Sequence, residues 1–244
     1  MNNTQEQIKS TIEKKSKKQY DIDVVVEYVA DVSKRAKQLQ QQFGEKLNSV
    51  YGTEHSTGSF IPAVNNNPYY ILIQENRESE LYVMTAFHEF QHLIDYVLFL
   101  KSAFSNNAEQ LKNSPMYITF NIYSEYAATA FGVKNYIEKV TIVGMTQKEL
   151  AESIFQNAKT KYWDLRGIDN RYQLLLHSMQ YMGNIIACSN FIDDVDFQKN
   201  VDEMELSDEL YPTFKHILKF ENKYEWYRDL DKIMREFVDG GVKS

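Results

Sequence analysis

His88 and His92 stand four residues apart in His88-Glu89-Phe90-Gln91-His92, inside a stretch, 79–102, that reads as one long helix. Four residues make about one helical turn, so the two imidazoles share a face. The flanks Thr85-Ala86-Phe87 and Leu93-Ile94 carry no charge, and no proline interrupts them. Such a helix has to bury its other faces, and that constrains everything packed around it.

The spacing also carries chemistry. Two neutral imidazoles one turn apart can both reach one Zn²⁺, each at about 2.0–2.1 Å. Glu89 sits beside them and can take a proton from water on the metal, whose pKa falls to about 7 there. A catalytic zinc keeps three protein ligands and one open position. An extended motif with Gly and a third His shortly after His92 is absent, because Asp95 and Leu98 occupy those positions. The third ligand must come from elsewhere. Glu125 lies 33 residues beyond His92, in Tyr123-Ser124-Glu125-Tyr126-Ala127-Ala128. A carboxylate on so apolar a segment is expected to be paired or bound to a metal. Ala127 and Ala128 are small enough to let two helices approach closely. Glu109 and Asp95 are rival ligands. Asp95, three residues past His92, reads better as a partner of a ligand or as a solvent-facing group. The ordinary alternative for Glu125 is a helix carboxylate paired with Lys or Arg.

The rest of the chain reads as mostly helical. Residues 1–20 are polar, a frayed segment or a charged helix start. Val25, Tyr28, Val29, Val32, Ala36, Leu39 and Phe43 recur at a helical period, which predicts a helix over 22–47; Val24-Val25-Val26 could begin it as a strand. Residues 51–68 cluster Gly, Pro, Ser and Asn and read as a loop. Tyr69-Tyr70-Ile71-Leu72-Ile73-Gln74 is the clearest strand. Residues 104–113 read as a polar loop. Ser114-Pro115 starts a helix that should run to about Lys139, and Thr146-Gln147-Lys148-Glu149 is a capping box opening another. Further helices are expected from Asp169 or Asn170 to about Ala187, from Ser207 to Phe220 and from Lys223 to Phe237. The economical reading is α+β and predominantly α. A polar segment, 1–20, precedes one domain, 21–244, with a small sheet and a helical C-terminal part.

Composition removes other classes. The 244 residues carry a net charge of −7, which argues against a nucleic-acid binder. The pairs Lys14-Lys15 and Lys17-Lys18 read as a solvated face. One cysteine, Cys188, excludes an intramolecular disulfide framework and reads as a buried, inert thiol. No stretch approaches the ~20 apolar residues of a membrane span, and no secretory core precedes the domain. A cytoplasmic protein with no nucleic-acid or membrane partner is the expectation.

The strand at 69–74, the HEFQH helix and the SEYAATAF helix together resemble a gluzincin-type zincin metallopeptidase. The layout is similar to the catalytic domain of anthrax lethal factor and to small intracellular zincins of mobile elements that cleave repressors. The resemblance covers about 69–135. It implies a zincin-like fold, one Zn²⁺ held by His88, His92 and Glu125, and Glu89 as general base. It also implies a peptide or protein substrate lying along 69–74 as the edge strand, at Tyr70 and Leu72. Gln91 stands where many relatives have Gly, and Thr129 stands where thermolysin-like relatives have Asp. The developing oxyanion needs a stabiliser besides the metal. By analogy this is Tyr or His, and the candidates are His177, Tyr123 and Tyr126, with Tyr117 and Tyr181 behind them. His177 among Leu174, Leu175, Leu176, Met179 and Met182 reads more readily as a hydrogen-bonded core residue than as that stabiliser. His216 reads as a helix-surface residue and His55 as a loop residue. Two other functions are compatible with these residues: a peptide-binding or regulatory module of the same fold with a structural metal, and a helical interaction protein without metal.

Overall fold

The computed structural model describes residues 3–43, 57–63, 67–75, 80–114, 116–164, 171–192 and 199. The expected helices at 207–220 and 223–237, with His216, lie outside these residues, as does His55. The described chain is α+β and predominantly α, with a three-stranded mixed sheet.

The N-terminal segment forms a helix, α1 (Asn3–Tyr20), rather than a frayed tail. Ile8 and Ile12 explain this, because both are buried in the main core. Lys14, Lys17 and Lys18 are exposed as expected. Lys15 is not, lying 5.7 Å from the ring centres of both Phe90 and Phe131.

The helix expected over 22–47 divides into strand β1 (Val24–Val29) and helix α2 (Val32–Phe43). The division has local causes. Val24 and Val26 alternate into the core as a β-branched strand does. Asp31 then caps α2, its carboxylate accepting from Lys34 N–H at 2.8 Å, a bond worth about 1 kcal/mol. Arg35 reaches back to Glu27 with a bidentate pair at 2.6 and 2.8 Å and ties the two elements together.

A second strand, β2 (Gly58–Ile61), lies where a loop was expected, and β3 (Tyr69–Gln74) forms at the predicted place. The order is β1-β3-β2, with β1 parallel and β2 antiparallel to β3. The 69–74 strand is therefore central, and its expected role as the edge strand is corrected. Tyr70 pairs with Val25 on one side and Ile61 on the other; Leu72 pairs with Glu27 and Ser59. Their side chains face α2. Leu72 is packed with Val32, Ala36 and Leu39, and the Tyr70 ring lies 5.8 Å from Phe43. Ile71 and Ile73 point to the other face, into the main core. Burial on both faces is why this strand reads as an unbroken apolar run.

The main core is helical. It contains α3 (Leu81–Phe104), the short α4 (Ala108–Asn113) in the expected polar loop, α5 (Met116–Lys139), α6 (Gln147–Asp164) and α7 (Arg171–Cys188). Left-handed Ser105 (φ 48°) and Asn106 (φ 65°) end α3, and the Asn107 side chain opens α4 by accepting from Glu109 and Gln110 N–H. Ser114 Oγ accepts from Met116 N–H at 3.2 Å. The capping box is formed in both directions: Glu149 accepts from Thr146 N–H at 2.7 Å, and Thr146 Oγ1 accepts from Glu149 N–H at 3.2 Å. Cys188 is fully buried, which pushes its thiol up to about 12. No helix among the described residues is long and apolar enough to cross a membrane.

Candidate metal centre

His88 and His92 project from the middle of α3, and Glu125 from the middle of α5. The two helices pack closely because of a glycine. A Cβ on Gly132 would lie 2.8 Å from the Met84 carbonyl oxygen and 3.1 Å from His88 Cβ. Ala127 and Ala128 were the expected small contacts; Ala128 is fully buried, and Gly132 adds an approach to α3 too close for a side chain. Gly183 does the same for α7, where a Cβ would meet the Tyr126 carbonyl at 2.7 Å. Gly132→Val is expected to destabilise the protein by about 1–3 kcal/mol, because a backbone carbonyl cannot move aside as a side chain does. Chemical denaturation measures this, and a change below about 0.5 kcal/mol, the scatter of an ordinary surface substitution, would show that α5 slides away freely.

The packing brings three ligand atoms together, all within 4.8 Å of one another. His88 Nε2 and His92 Nε2 are 3.0 Å apart. Glu125 Oε2 is 3.8 Å from His88 Nε2, and Oε1 is 3.6 Å from His92 Nε2. A tetrahedral ion with bonds of about 2.0–2.1 Å spaces its ligand atoms about 3.3–3.4 Å apart; the two nitrogens lie a little closer than that, at 3.0 Å, and a different carboxylate oxygen approaches each of them at 3.6 and 3.8 Å. The side chains of His88, His92 and Glu125 keep 23, 17 and 22% exposure, so solvent reaches the site.

Each ligand atom is held from behind. His88 bonds the Ala128 backbone, which leaves its Nε2 for the centre. His92 Nδ1 lies 2.7 Å from Ser124 Oγ. Ser124 Oγ donates to Asp95 Oδ2 at 3.2 Å, and Gln91 Nε2 donates to Asp95 Oδ1 at 2.9 Å. Asp95 is thus fully buried behind the site, the partner of a ligand's partner rather than a ligand. Glu125 Oε2 accepts from Gln180 Nε2 at 2.9 Å, and Gln180 Oε1 lies 3.3 Å from His177 Nδ1. Ser124 was hidden in plain view beside Glu125. Gln180 carries no local signal, since only the packing of α7 on α5 brings it near.

The electrostatics suit a cation. Burial, then the neighbouring His92, lowers His88 to about 4, and burial lowers His92 as well. Both shifts favour the neutral ring, the form that offers a lone pair to a cation. Burial pushes Glu125 up, but His92, His88, Gln180 and His177 together hold it below the ordinary carboxylate range. Glu89 is different. Burial and the Glu125 charge raise it to about 8, against the lowering effect of a backbone bond from Phe60.

That bond shows how the sheet meets the site. Gln74 N–H donates to Thr57 O, so Gly58 and Phe60 turn their main-chain groups away from β3. The outward Phe60 N–H points at the Glu89 carboxylate. A Cβ on Gly58 would lie 2.9 Å from Glu89 Oε1 and would also clash with Thr85. The strand that meets Glu89 is therefore β2, one of the two outer strands of the described sheet.

The candidate oxyanion groups separate. Tyr123 is buried, and Tyr181 stacks on Tyr162 at 4.8 Å within the core. Tyr126 is half-buried, its ring 6.2 Å from Tyr123. His177 joins the site's hydrogen-bond chain through Gln180. Tyr172, which the sequence did not single out, is raised by burial and then by the Glu125 charge. Glu109 lies exposed on α4 and belongs to no ligand group among the described residues. No family model, curated protein or solved structure matches the chain.

Proposed function

We propose that the protein is a zinc metallopeptidase of the gluzincin type, with His88, His92 and Glu125 holding one Zn²⁺ and Glu89 as general base. The observation that carries this reading is the convergence of two imidazole nitrogens and a carboxylate within 4.8 Å, with a second carboxylate, Glu89, on the residue after His88. The donor set fits the metal: neutral nitrogens and an ionised oxygen, each oriented by a second group. When bound, zinc supplies Lewis acidity, lowering the pKa of water to about 7 and polarising a carbonyl.

The chain's own residues do the rest. Glu89 receives the proton of the attacking water and hands it to the leaving amine. An extended peptide adds to β2, the strand beside Glu89, by main-chain hydrogen bonds. The substrate is a peptide or protein, and the net charge of −7 gives no surface for nucleic acid.

Purified protein is expected to carry about one zinc per chain, as a single three-ligand site does. It should cut members of an unbiased peptide library, with cleavage lost on chelation and restored by zinc. A zinc-loaded protein that cuts nothing would overturn the reading. Peptide capture without scission would assign the alternative, a binding module with a structural metal.

A further inference from the structure

We propose that Asp95 and Ser124 form a positioning pair that sets the tautomer of His92, so that a buried carboxylate behind the ligands decides whether the centre can take a metal. The inference rests on the metal reading above and deepens it.

Ser124 Oγ has one proton. It gives that proton to Asp95 Oδ2 at 3.2 Å, so toward His92 Nδ1, at 2.7 Å, it presents a lone pair. His92 Nδ1 must then carry the ring proton, and Nε2 is left as a lone pair facing the centre. The opposite order is sterically just as good. If Ser124 donated to His92 instead, the ring proton would sit on Nε2. It would then bond His88 Nε2, only 3.0 Å away, and close the site. An ionised carboxylate accepts and never donates, so Asp95 in that form selects the open order.

The pair is built for this task. Asp95 is fully buried and Ser124 keeps 2% exposure, so water does not scramble the bonds. Removing a carboxylate from water costs several kcal/mol, which a fold recovers only through well-formed hydrogen bonds. Gln91 supplies one of them, to Oδ1 at 2.9 Å. The second variable position of the histidine motif, Gln91, thus anchors the same chain that ends on His92.

Asp95→Asn tests this with almost no change of shape. Gln91 still donates to the Asn oxygen, which turns the Asn NH₂ toward Ser124. Ser124 then receives a bond and passes its own proton to His92. Zinc affinity, read by competition with a chromophoric chelator, is expected to fall about 10–100-fold. In the metal-free variant, ¹⁵N shifts of the His92 ring should report the proton moving from Nδ1 to Nε2. Ser124→Ala should weaken zinc to a similar degree and Ser124→Thr should restore it. The double variant Asp95→Asn, Ser124→Ala should bind no worse than either single one. Unchanged zinc affinity and an unchanged ring pattern in Asp95→Asn would overturn the proposal while leaving the metal centre intact. Wild-type protein that binds no zinc would instead overturn the metal reading. Should Asp95→Asn fail to fold, equal affinities in wild type, Ser124→Ala and Ser124→Thr would overturn the pair.

Discussion

Glu89→Gln is expected to keep its zinc and lose its hydrolysis. The metal should stay because Glu89 stands outside the group of converging ligand atoms, which are His88 Nε2, His92 Nε2 and the Glu125 oxygens. The substitution is isosteric, and the contacts with Phe60 and Gly58 leave room for a side chain of this shape. What disappears is the ability to hold and return a proton. General-base groups contribute about 10²–10⁴-fold, so turnover should fall by that factor while zinc content stays at the wild-type level. Initial rates on a cleaved peptide, with metal analysis of the same sample, decide it. A variant as active as wild type would end the role assigned to Glu89. Loss of both metal and activity would place Glu89 among the ligands.

Glu125→Ala should act at the other end of the chemistry. It removes the negative charge that sits 3.6 Å from His92 Nε2 and 3.8 Å from His88 Nε2. Losing a partner of a ligand costs about 10–100-fold in affinity, so losing a ligand itself should cost more than about 100-fold. Competition titration with zinc measures this. Gln180 is freed at the same time, so Glu125→Gln is the control that keeps most of the shape and removes the charge. An affinity within tenfold of wild type in the Ala variant would show Glu125 to be an ordinary buried carboxylate. The two variants also separate the roles: the first should change rate at constant metal, the second metal first and rate as a consequence.

Several parts of this arrangement were readable in one dimension. The α3 helix, its two imidazoles on one face and Glu89 beside them all follow from spacing. Glu125 drew notice because a carboxylate sat in an apolar helix, and the structure brings it to the histidines. The Thr146–Glu149 capping box formed as read, because caps depend on residues three apart. Local patterns misled where partners were distant. Val25 fitted a helical period running on into α2, with a strand at Val24-Val25-Val26 as the alternative, and pairing with β3 decides for the strand. Gly58–Ile61 was taken as loop, since four residues are too few for a period to declare itself.

The edge-strand expectation for Tyr69–Gln74 came from the resemblance alone; the strand itself was recognised, and its pairing with β1 and β2 puts it at the centre. Whether a strand is central depends on what pairs with it, and pairing is not encoded in its own residues. The same limit hid the Ser124–Asp95 chain and Gln180, whose roles arise from helices meeting side by side at Gly132 and Gly183. The sequence by itself determined which chemistry was present: the helix, its two nitrogens and the two carboxylates. Only the tertiary structure decided which strand lies beside Glu89 and which buried groups aim each ligand atom, because contacts between distant segments are set by packing and not by period.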